Sequence, residues 1–168
     1  ELEMKFDLEM NKEAEIQLIL DPVMGDAITA NGEGDISLEI DSKGNFKIFG
    51  TYELSNGSYL FTLENVINKR FKIMPGSRIT WDGDPYSGLA DITAQYNLRT
   101  SLSELDLQTL TMDAEQLTSK VDVSLNLHMT GNYMNPNLKF SFDLPTQFSD
   151  VETLLNNLED GEKNKQVF

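Results

Sequence analysis

The sequence predicts an all-β protein: a curled, largely antiparallel sheet, an open barrel or taco-like trough with an apolar inner face, and a short C-terminal helix. Three observations predict it. Apolar and polar residues alternate through segment after segment, turn-forming residues separate the segments, and a helical period appears only after Pro145. Side chains alternate faces along a strand, so each such segment has one wet and one dry side.

Leu2, Met4, Phe6, Leu8 and Met10 share one side of the first segment, with Glu1, Glu3, Lys5, Asp7 and Glu9 opposite. After Asn11-Lys12-Glu13 the alternation resumes with Ala14, Ile16, Leu18 and Leu20. Asp21-Pro22 ends that strand and Gly25-Asp26 marks a turn. Ile28 and Ala30 lead into Asn31-Gly32-Glu33-Gly34, and Ile36, Leu38 and Ile40 continue. Asp41 to Asn45 is a turn. Phe46, Ile48, Tyr52 and Leu54 then form a dry side, and Asn56-Gly57 predicts a hairpin with Tyr59, Phe61 and Leu63 on the return strand. Later strands centre on Phe71/Ile73, Ile79/Trp81 and Ile92/Ala94/Tyr96/Leu98, separated by Pro75-Gly76 and Asp82-Gly83-Asp84-Pro85. Residues Arg99 to Lys120 are polar with scattered leucines, and read as a loop with a short helix or an edge excursion. Val121 to Met129 and Leu138 to Leu144 alternate again.

Phe148, Val151, Leu154, Leu155 and Leu158 recur at helical spacing, Ser149 and Glu152 fit a capping box, and Gly161 fits a stop. The expected organisation is therefore a sheet over residues 1–147, a helix over 148–161 and a lead-in to further strands over 162–168. Glu1 in place of an initiator Met, and the abrupt end at Phe168, read as the ends of a segment cut from a longer protein.

The chain's 168 residues suffice for a real core. A formal charge of −15 repels nucleic-acid backbones and anionic headgroups, but does not exclude lipid, whose acyl chains are held by apolar surface. The lack of cysteine excludes disulfides and thiolate metal sites. No stretch is long and apolar enough to span a bilayer as a helix, and no signal peptide is present.

The polar residues do not assemble a catalytic, metal or cofactor constellation. His128 is the single histidine and falls on a wet side with Asp122, Ser124, Asn126 and Thr130, as a surface histidine does. Asp82 and Asp84 are the most site-like carboxylates, but their place before Pro85 fits a structural turn better than acid–base work or calcium. Gly32-Glu33-Gly34 lacks the third glycine and lysine of a phosphate loop and reads as a bulge. Asn56-Gly57-Ser58 matches a glycosylation sequon that the hairpin already explains. Phe168 and the alternation also suit an outer-membrane barrel, a minor alternative because Asn164-Lys165-Gln166 before it is polar. The dry side can be an ordinary core or a lined groove, and alternation alone does not separate the two.

The order of turns and aromatics from Leu54 to Tyr96 carries a resemblance. Gly57-Ser58-Tyr59-Leu60-Phe61, Phe71-Lys72-Ile73, Pro75 to Trp81, Gly83-Asp84-Pro85 and Asp91 to Tyr96 follow one another. This succession resembles the C-terminal domain of the TamB family, within the AsmA-like superfamily. Gly131 to Pro136, Leu144-Pro145 with its helix, and Asn164 to Phe168 are similar to that domain's later part, while Gly88 departs from an expected proline. The resemblance implies the periplasmic portion of a protein anchored in the inner membrane of a Gram-negative bacterium. It implies a TamA-type, BamA-related outer-membrane barrel as partner. It also implies an apolar groove for phospholipid acyl chains or for unfolded outer-membrane protein (autotransporter) clients.

On this reading the expected groove lining is Phe46, Ile48, Tyr52, Tyr59, Phe61, Phe71, Ile73, Trp81, Ile92, Tyr96, Leu125, Leu127, Phe140 and Phe142, with no catalytic residue. The alternatives are a structural β module that binds partner proteins by edge strands around a closed core, and an enzyme acting on glycans through Asp82 and Asp84.

Overall fold

The computed structural model describes residues 2–63, 67–104, 114–158 and Lys163. The chain is all-β and antiparallel, with one short C-terminal helix, as expected. The strands are β1 (Glu3–Met10), β2 (Glu15–Asp21), β3 (Asp26–Asp41), β4 (Phe46–Leu63), β5 (Ile67–Ile73), β6 (Ser77–Gly83), β7 (Leu89–Ser101), β8 (Lys120–Asn132) and β9 (Asn137–Asp143). Helix α1 spans Ala114–Thr118 and α2 spans Ser149–Asn156. The sheet order is β1-β3-β4-β5-β7-β8-β9, with β2 on β3 and β6 on β4 and β7.

The long strands explain that branching. β3 carries β1 on its Gly34–Asp41 half and β2 on its Asp26–Asn31 half. β4 pairs with β3 along one edge. Along its other edge Ser58–Leu63 hold β5 and Ile48–Leu54 hold β6. β5 and β6 therefore lie end to end, and Met74-Pro75-Gly76 is a kink between them, with Gly76 at φ 89°.

The expected hairpin at Asn56-Gly57 is not formed: β4 runs straight through it. Asn31 faces Asn56 while Gly32 faces Leu54, which leaves Ser55 as an extra residue in β4. This is a β-bulge. The dry side moves from Phe46, Ile48, Tyr52 and Leu54 to Tyr59 and Phe61 because a bulge shifts the parity, as a hairpin would also do. Gly32-Glu33-Gly34, expected to form a bulge, lies at and beside this point on β3, but the extra residue is on β4. At Gly34 a Cβ would sit 2.1 Å from the Thr51 carbonyl oxygen, and at Gly50 2.1 Å from that of Asp35, so these backbones approach more closely than side chains allow.

The chain divides into two compact units. The first comprises Glu1–Ala94 and His128–Leu138, the second Gln95–Leu127 and Lys139–Phe168. In the first, Tyr59, Phe61 and Phe71 form an aromatic cluster with ring centroids 6.0–6.5 Å apart. The Tyr59 hydroxyl donates to Asp26 at 3.1 Å, and Asp26 also accepts from the Thr62 amide at 2.7 Å. Burial, then the Asp26 charge, holds the Tyr59 hydroxyl far above its ordinary pKa.

In the second unit, Leu102, Val121, Val123, Leu125, Leu127, Phe140, Phe142, Val151 and Leu155 are buried. The Arg99–Lys120 stretch holds the end of β7, a 3-10 turn at Leu102–Glu104 and α1, while Leu105, Leu107 and Leu110 lie outside the described residues. The expected capping box at α2 is absent. Ser149 lies inside the helix, and Glu152 accepts the Leu144 amide at 2.8 Å instead of turning back on the helix start. The helix proper ends at Asn156; Gly161 and the tail at 164–168 lie outside the described residues.

Candidate functional site

Residues paired directly across antiparallel strands share a face. In the first unit the register draws three apolar rows: Met4–Ile40–Phe46, Phe6–Leu38–Ile48, and Leu8–Ile36–Gly50–Trp81. Burial changes along them. Met4, Phe6 and Leu8 are 43%, 46% and 43% exposed, and Phe46 is 40% exposed. Leu38, Ile40 and Ile48 are half-buried. Ile36 and Trp81 are buried, as are Tyr52, Tyr59, Phe61, Phe71, Ile73, Ile79 and Ile92. The first unit thus has one closed apolar region and one open apolar region on the β1–β3–β4 corner. A contiguous exposed apolar patch is the usual mark of an interaction surface.

Most of the residues expected to line a groove fall in the closed part. Of those in the first unit, only Phe46 is exposed and only Ile48 is half-buried. In the second unit Leu125, Leu127, Phe140 and Phe142 are buried and Tyr96 is half-buried. The open surface is instead made largely by Met4, Phe6 and Leu8, whose signal was the strict alternation of the first ten residues. A cleft of about 570 Å³ flanks it, lined by Leu8 and Ile36 together with Asp7, Glu9, Asp35, Ser37, Phe49 and Gly50.

Two of the polar candidates, Asp84 and His128, have defined partners. Asp84 caps the 3-10 turn at Pro85–Ser87, accepting from the Tyr86 amide at 3.0 Å and the Ser87 hydroxyl at 2.7 Å. These bonds hold its carboxyl below the usual range. The Pro85 carbonyl accepts from Trp81 Nε1 at 3.2 Å and from the Tyr133 hydroxyl at 2.8 Å, and the two rings meet edge-on. Gly88 fits beneath this knot because a Cβ there would lie 2.5 Å from Trp81 Nε1. Tyr133 keeps the odd parity of buried Val121 to Met129 but lies just past the end of β8, so the alternation marks its side as dry without announcing the contact with Pro85.

His128 is at the surface, as expected, but it is not unpartnered. Its Nε2 lies 2.9 Å from Asp91, whose other oxygen accepts from Arg78 at 3.2 Å. The His128 bond foremost, with the Arg78 charge, lowers the Asp91 pKa. Among the described residues no cluster of His, Asp and Glu could hold a metal ion, and no helix is long and apolar enough to cross a membrane.

Compared with known families, the chain matches the TamB C-terminal domain over residues 1–168. No curated protein and no solved structure matches it.

Proposed function

Because the chain belongs to the TamB C-terminal domain family, whose role is in protein secretion and outer-membrane assembly, we propose that it is a non-catalytic, periplasmic segment of an inner-membrane-anchored bridge. In this reading it offers an apolar groove to phospholipid acyl chains on their way to the outer membrane, next to a TamA-type barrel. The observation that carries the reading is the open apolar corner of Met4, Phe6, Leu8 and Phe46, continuous by register with Ile36, Leu38, Ile40 and Ile48. Each methylene sheltered on such a surface gains about 0.8 kcal/mol, so an acyl chain is held without any charged contact. The acidic residues that alternate with these positions, Glu3, Asp7, Glu9, Asp35 and Glu39, keep the other side of the strands in water.

The same corner suits the apolar side of an unfolded outer-membrane strand, and a closed core beside it suits a module that binds proteins by its strand edges. Organic extraction and mass spectrometry of protein purified without detergent separates these. Near-stoichiometric phospholipid is expected in the wild type and little in a folded Phe6→Arg variant, because that half-exposed side chain tolerates a charge that buried Leu125 would not. Lipid-free wild-type protein would sink the conduit and leave protein clients and edge pairing.

A further inference from the structure

The outer edge of β9 carries a second feature, independent of the groove. In an antiparallel strand, alternate residues point both N–H and C=O to the same edge. On β9 and its extension those residues are Phe140, Phe142 and Leu144. Among the described residues β9 is the last strand in the sheet order, and no further strand pairs with it. Four of these outward groups are nevertheless bonded. The Phe142 amide donates to Asn156 Oδ1 at 2.7 Å, and Asn156 Nδ2 donates back to the Phe142 carbonyl at 3.0 Å. The Leu144 amide donates to Glu152 at 2.8 Å, and Lys163 Nζ donates to the Phe140 carbonyl at 3.0 Å.

The Asn156 side chain thus makes the paired donor–acceptor contact that a neighbouring strand's backbone would make. Glu152, one helical turn before it, extends the imitation by one ladder position. An uncovered edge is a template for strand addition, and covering it is one way proteins suppress that pairing. Asn156 and Glu152 hold this edge by polar bonds that an incoming strand would replace with its own donors and acceptors, while Val151 and Leu155 are buried, so release of the helix also exposes these two side chains.

We propose that the outer edge of β9 is a strand-accepting edge and that α2 is its latch, released when an extended polypeptide segment pairs with Phe140, Phe142 and Leu144. The expected occupant is a strand of alternating apolar and polar residues, because its apolar side would continue the dry side of Phe140 and Phe142. Such strand addition takes its affinity from main-chain bonds and its selectivity from the alternate side chains. The latch lowers the apparent affinity by the fraction of molecules in which it is open.

The test uses a fluorescein-labelled peptide of ten alternating valines and threonines, with a lysine at each end and a central benzoylphenylalanine. Anisotropy reads affinity, and photo-crosslinking with mass spectrometry reads position. Asn156→Ala should bind at least about tenfold more tightly than the wild type, since opening the latch removes that fraction from the apparent constant. Crosslinks should fall on residues 140–144, and Leu144→Pro added to Asn156→Ala should reverse the gain by removing an outward amide. Unchanged affinity in a folded Asn156→Ala, or crosslinks on the β1 edge instead, would overturn the proposal. Should circular dichroism show Asn156→Ala unfolded, Glu152→Gln takes its place, with a gain of about threefold expected from the weaker Leu144 bond; no gain overturns the proposal equally.

Discussion

Replacing Phe71 and Phe6 by alanine measures where the apolar face is closed and where it is open. Phe71 has no solvent exposure and sits 6.0 Å from the Phe61 ring and 6.5 Å from that of Tyr59. A buried Phe removes about 200 Å² from water, worth about 5 kcal/mol at 25 cal/mol per Å², and measured Phe→Ala losses in cores run about 3–5 kcal/mol. Phe6 is 46% exposed on an edge strand, so its truncation forfeits roughly half that area and opens no cavity. The expected loss there is about 2 kcal/mol, near half the Phe71 figure. Urea unfolding followed by circular dichroism reads the difference. With a slope of about 2 kcal/mol per molar, Phe71→Ala should lower the midpoint by about 2 M and Phe6→Ala by about 1 M. A Phe71→Ala loss below about 1 kcal/mol at unchanged slope would refute the closed region and extend the open apolar region across Tyr59, Phe61 and Phe71.

Two further outcomes follow from particular contacts. Tyr59→Phe removes the donor to Asp26 at 3.1 Å and should cost about 1 kcal/mol near neutral pH, read as a urea midpoint. Tyr59 holds its proton more tightly folded than unfolded, so its contribution is complete below the unfolded pKa near 10 and is lost as pH rises above it; Tyr59→Phe should therefore blunt alkaline destabilisation, and an unchanged alkaline profile would contradict the burial argument. Gly88→Ala places a methyl against the indole of Trp81, the only tryptophan, so its fluorescence should change together with a loss of about 1–3 kcal/mol. An identical emission spectrum would show that the loop at residues 84–88 is looser than the Trp81–Pro85–Tyr133 contacts require.

Local pattern is enough to specify the class of fold and which side of each strand is apolar. Alternation reports the strand period directly, which is why Met4, Phe6 and Leu8 face the same way as Ile36, Leu38 and Ile40, and why Leu125 and Leu127 share one side of their strand. Asp84's place in a turn was legible for the same reason, because a short carboxylate before proline bonds its own backbone. Tertiary structure decided what local pattern leaves open. A bulge and a hairpin both shift parity at Asn56-Gly57, and only the pairing of β4 with β3 on both sides of that point selects the bulge. Ser149 and Glu152 satisfy the capping-box spacing, yet Glu152 accepts from the Leu144 amide, because a strand edge beside a helix competes with the helix's own first turn for the carboxylate. Alternation also cannot say whether a dry side meets other side chains or open space. That depends on which strands lie next to it, and so Phe71 is closed over while Phe6, with the same pattern, remains half in water.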